Sequence, residues 1–248
     1  MPAYSCPICH SKSELLDVVD FNKNCEERNG LYLPKSGRAV YYAQCQQCAF
    51  LFAPEFLNWT DQEFKREIYN NEYKLIDPEI DTIRPEKNLR LLSQLFGDQK
   101  HQIRHLDYGG GEGTLSTLLK RQGWNSTSYD PYFAEATTVR GVEPFDLITA
   151  FEVFEHEPNP LRLMTELKAR VRETSIILFS TLLSDSYLKE SIRLDWWYVS
   201  PRNGHCSIYS KKSIEFLATH FGFRYASLGP AYQILYGRFP VWAQNLTN

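Results

Sequence analysis

The sequence contains no apolar run approaching the ~20 residues that a membrane-spanning helix requires. Its longest such runs, 145–153 and 175–181, have the length of buried strands. Basic excess is missing too: the net charge is −3, which weighs against the phosphate backbone of a nucleic acid as partner. The residues after Met1 lack the basic start and apolar stretch of a secretory signal, so the cytoplasm is the expected compartment. No internal repeat or low-complexity tract occurs, which excludes solenoids and disordered arrays. Cysteine is scarce at 6 residues, but four of them form two Cys-x-x-Cys pairs. In a reducing compartment such pairs bind metal rather than close disulfides. Cys25 and Cys206 are left over.

What is present suffices for one sizeable α/β core and a smaller module, since single domains run to roughly 100–200 residues. Residues 1–55 combine the cysteine pairs with turn formers and strand-like stretches at Leu15 to Phe21 and Ala39 to Ala43. They carry too little apolar surface to fold without a staple. Residues 56–100 read as a helical linker, with Pro85 at the first helical position and an apolar stripe of Leu89, Leu92, Leu95 and Phe96. From 101 to 248, short apolar runs alternate with amphipathic helices, the pattern of a parallel sheet covered on both faces. Strands are expected at Ile103 to Asp107, Ser126 to Asp130, Phe145 to Phe151, Ser175 to Thr181, Arg224 to Leu228 and Gln233 to Tyr236. Helices fall at Gly113 to Arg121, at Pro160 to Val171 behind an Asn159 cap, and at Lys211 to Phe221 between a Ser210 cap and Gly222. Only 14 residues, Pro131 to Pro144, separate the second strand from the next. An average helix and strand need about 17, so one of the two is truncated there.

The run His105-Leu106-Asp107-Tyr108-Gly109-Gly110-Gly111-Glu112-Gly113-Thr114 begins in a strand and ends in a helix. Its glycines let the backbone turn sharply and approach a ligand, and the helix start offers unpaired N–H groups. A dinucleotide fingerprint would put its third glycine at position 114, which is threonine. Asp107 would also repel a pyrophosphate, while it suits the ammonium group of a methionyl moiety. Asp130, 17 residues past Gly113, ends the next strand, where a carboxylate accepts from both hydroxyls of a ribose. Together these features imply a nucleoside ligand.

Leu106 to Gly113 resembles motif I of class I S-adenosylmethionine-dependent methyltransferases. Tyr129-Asp130 resembles the acidic position after their second strand, and Phe145 to His156 resembles their fourth-strand motif. The resemblance implies a Rossmann-like α/β sheet flanked by helices. It also implies that S-adenosylmethionine is bound by Asp107, Gly109, Gly110, Gly111 and Gly113 at its methionyl part, by Asp130 at the ribose, and at Ala150 on the fourth strand. Tyr132 and Phe133 are the candidates for the adenine.

Cys6-Pro7-Ile8-Cys9 and Cys45-Gln46-Gln47-Cys48 are two tight turns whose thiolates can meet at one tetrahedral Zn²⁺. The 35 residues between the pairs exceed the usual ribbon spacing of about 15–20, so a hairpin or loop is inserted. A redox pair would not recur outside a thioredoxin-like βαβ context. With four cysteines as ligands no position is open to water, and the metal is expected to be structural. His10, beside Cys9, is read as a solvated turn residue. A zinc-binding N-terminal module ahead of such a domain resembles the arrangement in deoxysugar C-methyltransferases and related bacterial enzymes. That resemblance implies a small-molecule acceptor, and the oligomeric state stays open.

Methyl transfer is an in-line displacement, so the protein must align a nucleophile and, for a hydroxyl, remove its proton. Glu152, Glu155 and His156 follow the fourth strand directly, at the edge where open α/β sheets bind ligands. His205 and Tyr209 precede the Ser210-capped helix. His156 and His205, with Glu152 and Tyr209, are therefore the catalytic candidates. The deoxysugar enzymes carry an acidic residue where Gly204 stands, and this departure favours an oxygen or nitrogen acceptor over carbon. Glu-x-x-Glu-His with a later histidine also resembles the Mg²⁺-binding pattern of small-RNA terminal 2′-O-methyltransferases, which implies a second divalent metal on Glu152, Glu155, His156 and His205. A competing class is a non-catalytic module that binds a partner through its zinc ribbon. The segment 182–203, with Trp196, Trp197, Tyr198 and Arg202, is either an acceptor-binding lid or a loop anchored by its rings.

Overall fold

The computed structural model describes residues 3–80, 82–131, 144–187 and 194–247. In chain order these form β1 (Ala3–Ser5), β2 (Lys12–Asp20), β3 (Ala39–Cys45), β4 (Leu51–Phe52), α1 (Asp61–Glu67), α2 (Tyr73–Ile76) and α3 (Ile83–Phe96). There follow β5 (Arg104–Tyr108), α4 (Thr114–Arg121), β6 (Asn125–Tyr129), β7 (Phe145–Ala150), α5 (Pro160–Lys168) and β8 (Val171–Ser180). The last are β9 (Ser207–Ile208), α6 (Lys211–His220), β10 (Arg224–Ser227) and β11 (Tyr232–Tyr236). Among the described residues no helix is long and apolar enough to cross a membrane.

The chain divides into two compact units. The first comprises 1–77, 154–163 and 181–220, and the second 78–153, 164–180 and 221–248. The first unit is built on an antiparallel sheet in the order β1-β2-β3-β4-β9. Its last strand is a departure from the sequence reading, which expects no strand between Thr181 and the Ser210-capped helix. Leu51 pairs with Ile208 and Phe52 with Ser207, so the N-terminal cysteine-rich segment gains a strand from far downstream in the chain. Phe50, Phe52, Phe56, Phe64, Phe154, Tyr42 and Tyr209 are all fully buried there. Phe56, Phe64, Phe154 and Tyr209 supply the apolar mass that residues 1–55 lack by themselves.

The second unit holds a sheet in the order β10-β11-β8-β7-β5-β6. Strands β6, β5, β7 and β8 are mutually parallel, β11 pairs antiparallel with β8, and β10 pairs antiparallel with β11. The chain passes from β5 to β6 on one side and then to β7 on the other, so β5 is the switch point at whose carboxyl end open sheets bind ligands. β7 is central, with five of its six residues buried, as a strand covered on both faces requires. Leu92 and Phe96 of α3 enter a cluster with Leu115 and Leu119 of α4 and Leu147, Ile176 and Ile234 of the sheet.

Boundaries move where tertiary pairing outweighs local pattern. The helix expected to reach Val171 stops at Lys168, because Val171 pairs with Phe145 and lengthens β8 at its start. Pro85 lies third in α3 rather than first, still within the turn whose N–H groups have no helical acceptor. The expected caps form: Asn159 Oδ1 accepts from the Arg162 amide at 3.1 Å and Ser210 Oγ from the Ser213 amide at 3.0 Å. The segment expected to be truncated, with Tyr132 and Phe133, lies outside the described residues, as does 188–193.

Candidate functional site

In the second unit the cofactor candidates gather at the carboxyl ends of β5, β6 and β7. Asp107 is buried and accepts from Thr149 Oγ1 at 3.0 Å. Burial pushes its carboxyl up to about 7, and the charge of Asp130 adds to this against the Thr149 bond. Asp130 Oδ2 accepts from the Gly111 amide at 2.9 Å, tying the loop to the end of β6. Gly109 has φ +74 and lies so close to Val153 that any Cβ would overlap that side chain. An added Cβ at Gly110 would overlap both the Asp107 carboxylate and Ser128 Oγ. That Ser128 hydroxyl is buried and has no hydrogen-bond partner among the described residues. A tight backbone cradle, two carboxylates and an unsatisfied hydroxyl thus gather as donors and acceptors for a polar ligand. Ala150 closes β7 in the same row of strand ends.

Glu152 is in this unit as well. Its φ is +54, a conformation that costs a residue with a side chain roughly 1–3 kcal/mol. Two bonds to Ser180 hold it there: its amide donates to Ser180 Oγ at 2.8 Å, and Ser180 Oγ donates to its carboxylate at 2.6 Å.

The first unit brings the other candidates together. The rings of His156 and His205 meet edge to face, with centroids 4.8 Å apart. Glu155, wholly buried, stands with them, and one ligand atom of each of the three lies within 4.8 Å of the others. The Tyr198 hydroxyl donates to Glu155 Oε1 at 2.6 Å, while the Tyr198 carbonyl lies 2.7 Å from His205 Nδ1. A carbonyl can only accept, so Nδ1 of His205 carries a proton, and in the neutral ring Nε2 is the acceptor nitrogen. His156 Nδ1 is 3.0 Å from the Tyr69 hydroxyl. Gly204, at φ +91, makes that contact possible: a Cβ there would come within 3.1 Å of both His156 Nδ1 and Tyr69 Oη.

Several residues of this cluster escape the sequence reading. Cys25 has its sulfur 3.0 Å from Ser200 Oγ and 3.9 Å from His205 Nδ1. Tyr69, which no sequence pattern marks, is a partner of His156. The structure places Tyr209 elsewhere: it is fully buried against Phe50 and Phe154, its hydroxyl donates to the Phe154 carbonyl, and burial drives its pKa well up. The rings of 194–203 are packed down as well. Trp196 stacks on Tyr187 at 4.1 Å, and the buried Arg202 donates to the Ile68 carbonyl.

The four paired cysteines also meet in the first unit. Sγ separations are 3.7 Å for Cys6 and Cys48, 3.4 Å for Cys9 and Cys45 and 3.6 Å for Cys9 and Cys48. A tetrahedral zinc with Zn–S bonds of ~2.3 Å implies about 3.8 Å between sulfurs, so the set fits with a slight expansion. The two turns are built alike. The Ile8 amide donates to Cys6 Sγ and the Gln47 amide to Cys45 Sγ, each at 3.4 Å. His10 and Ala49 close them at φ +59 and +56, with amides donating to the Cys6 and Cys45 carbonyls. His10 is exposed and outside the cluster.

Residues 80–228 match a family model described as a methyltransferase domain. The chain is 28% identical to the ubiquinone biosynthesis O-methyltransferase of Actinobacillus pleuropneumoniae serotype 7 over 31% of its own length and 44% of that protein. It is 25% identical to the enzyme of that name from Stutzerimonas stutzeri, over 37% of its length and 40% of that protein. It thus matches less than half the length of these relatives. Among solved structures it is similar to the plantazolicin methyltransferase BpumL in complex with SAH, with a TM-score of 0.50 and 14% identity over 75% of this chain and 97% of that one. The plantazolicin methyltransferase BamL gives a TM-score of 0.50 at 13% identity, over 72% and 94% of the two chains. At such identities the likeness is one of fold.

Proposed function

The chain belongs to the methyltransferase domain family, and from that premise we propose that it transfers a methyl group from S-adenosylmethionine to a hydroxyl or amine of a small molecule. Sugars, sugar nucleotides and natural-product intermediates are the acceptor class. The carrying observation is the cradle at the switch point, where Asp107 and Asp130 flank a glycine loop so close that Gly110 admits no side chain. In this reading Asp107 pairs with the ammonium group, Asp130 accepts from the ribose hydroxyls, and Gly109, Gly110, Gly111 and Gly113 carry the backbone past the methionyl part. When bound, the cofactor supplies an electrophilic sulfonium methyl group. The protein's own task is to align the acceptor and take its proton.

For that task we assign His156 and His205. His205, with its Nδ1 proton on the Tyr198 carbonyl, has Nε2 as a proton acceptor, and His156 is oriented by Tyr69. One serves as general base and the other orients the acceptor. The names of the curated relatives, both O-methyltransferases, support an oxygen acceptor. Cys6, Cys9, Cys45 and Cys48 hold a structural zinc that staples the first sheet and takes no part in the chemistry.

A second reading draws on the grouping of Glu155, His156 and His205, which could hold a divalent metal for transfer to an RNA 2′-hydroxyl. Glu152, the fourth member of that sequence pattern, instead has its carboxylate bonded to Ser180, and the net charge of −3 disfavours RNA. One assay separates the readings: release of S-adenosylhomocysteine is followed with a panel of hydroxylated small molecules, sugar nucleotides and short RNAs, with and without chelator. Chelator-insensitive release with a small acceptor supports the first reading. Release only with RNA and only with metal present overturns it in favour of the second.

A further inference from the structure

His105 lies within β5 with no exposed surface, and none of the chemistry above uses it. Its Nδ1 is 2.8 Å from Ser126 Oγ and its Nε2 is 2.9 Å from Thr149 Oγ1. Thr149 Oγ1 donates to Asp107 Oδ1 and Ser126 Oγ donates to Ser116 Oγ of α4, each at 3.0 Å. Strand geometry explains the row. His105 and Asp107 are two residues apart and share a face of the sheet, and parallel register sets Ser126 beside His105 and Thr149 beside Asp107. All five side chains are buried.

Proton counting gives the row a direction. A threonine hydroxyl has one proton and two acceptor lone pairs. If Thr149 gives that proton to Asp107, it must accept one, and the group in reach is His105 Nε2. Burial holds the imidazole neutral by pushing its pKa down to about 3, so the ring carries a single proton. With that proton on Nε2, Thr149 accepts it and gives its own to Asp107, while Ser126 turns its single proton from Ser116 to Nδ1. With it on Nδ1, the row runs the other way: Thr149 donates to Nε2, and Asp107 must carry a proton of its own to give to Thr149. The tautomer of one neutral histidine is thereby tied to the protonation of Asp107, which is near half-protonated at neutral pH without a cation beside it. Asp130 is the other charged group acting on that carboxyl.

We propose that His105 is a positioning residue for the cofactor site, which through Thr149 holds Asp107 as an oriented carboxylate facing the ammonium group of the ligand. This rests on the assignment of the cradle to S-adenosylmethionine. Ligand binding then fixes the Nε2–H tautomer and, where Asp107 was protonated, sends that proton to solvent as the ammonium group replaces it.

The test uses S-adenosylhomocysteine, which carries the same amino acid and ribose. Titration calorimetry in buffers of differing ionisation enthalpy is expected to show proton release on binding at pH 6 that vanishes by pH 8.5. Nitrogen NMR of the wild-type imidazoles is expected to show His105 protonated on Nε2 in the complex. Thr149→Val is expected to bind the ligand about ten- to a hundredfold more weakly, through loss of a bond to a charged group, and Thr149→Ser to restore binding. Binding without proton release, with the Nδ1–H tautomer in the complex and with full affinity in Thr149→Val, overturns the role of His105 and leaves the cofactor assignment standing. Failure of wild-type protein to bind the ligand at any pH overturns both.

Discussion

Replacing Asp107 by asparagine removes a carboxyl that burial holds at about 7, against an ordinary value of 3.8. A raised carboxyl pKa means that the folded protein keeps a proton which the unfolded chain has released. The stability this group contributes is therefore complete below about pH 4 and lost as pH rises through 7. The interval from 3.8 to about 7, taken at 1.36 kcal/mol per unit, amounts to about 4 kcal/mol. Asp107 is only 3% exposed, so solvent screening reduces this little. Asparagine keeps an oxygen for the Thr149 hydroxyl and nearly the same volume, so the change isolates the charge. His105 acts with the opposite sign: its folded pKa of about 3 lies below the ordinary 6.5, so its contribution is present above pH 6.5 and lost as pH falls toward 3. Between pH 4 and 6.5 the two slopes nearly cancel in the wild-type protein. In Asp107→Asn only the histidine slope remains, and stability relative to wild type should climb with pH by up to about 4 kcal/mol up to pH 7.5. Urea denaturation of ligand-free protein, followed by circular dichroism at half-unit pH steps, measures the difference. A gap between the two proteins that stays constant with pH would refute the burial argument.

Replacement of Cys6 or Cys45 by serine should remove one zinc per chain, seen by elemental analysis, and lower the melting temperature. Protein that is metal-free and equally stable contradicts the staple. His156→Gln or His205→Gln, whichever removes the base, should cut turnover by about 10²–10⁴-fold while affinity for S-adenosylhomocysteine stays unchanged. Turnover that holds in both variants removes the base assignment. Gly110→Ala should lose about 1–3 kcal/mol of stability, because its Cβ overlaps the Asp107 carboxylate and Ser128 Oγ. It should also weaken cofactor binding, and calorimetry of a stable variant that binds normally would show that the loop does not approach the ligand.

The strands and helices of the second unit are legible in the sequence because each carries its own period, as in the stripe of Leu89, Leu92, Leu95 and Phe96 or the apolar run of β7. The cofactor loop is legible because its glycines and acid are contiguous. What escapes is assembled from distant segments. β9 exists only because Leu51 and Phe52 offer a free edge to Ser207 and Ile208, and two residues have no period to read. The link between Tyr69 and His156 depends on the missing side chain of Gly204, which the sequence presents only as a departure from a motif. His105 reads as a structural or solvated histidine beside a strand. Its partners Ser126 and Thr149 come from strands that only the register sets beside it. Glu152 and Glu155 look equivalent on paper, three residues apart after β7. Only the backbone turn at Glu152, with its φ of +54, sends one to Ser180 and the other to Tyr198.

The central claim, that the cradle around Asp107, Gly110 and Asp130 is a binding site for S-adenosylmethionine, is tested most directly by titration calorimetry of the purified protein with the cofactor and its demethylated product. The account predicts binding at micromolar affinity or tighter, about −8 kcal/mol or more favourable, and a large loss in Asp130→Ala, where the ribose acceptor is gone. No heat with either ligand, or equal affinity in Asp130→Ala, would contradict it.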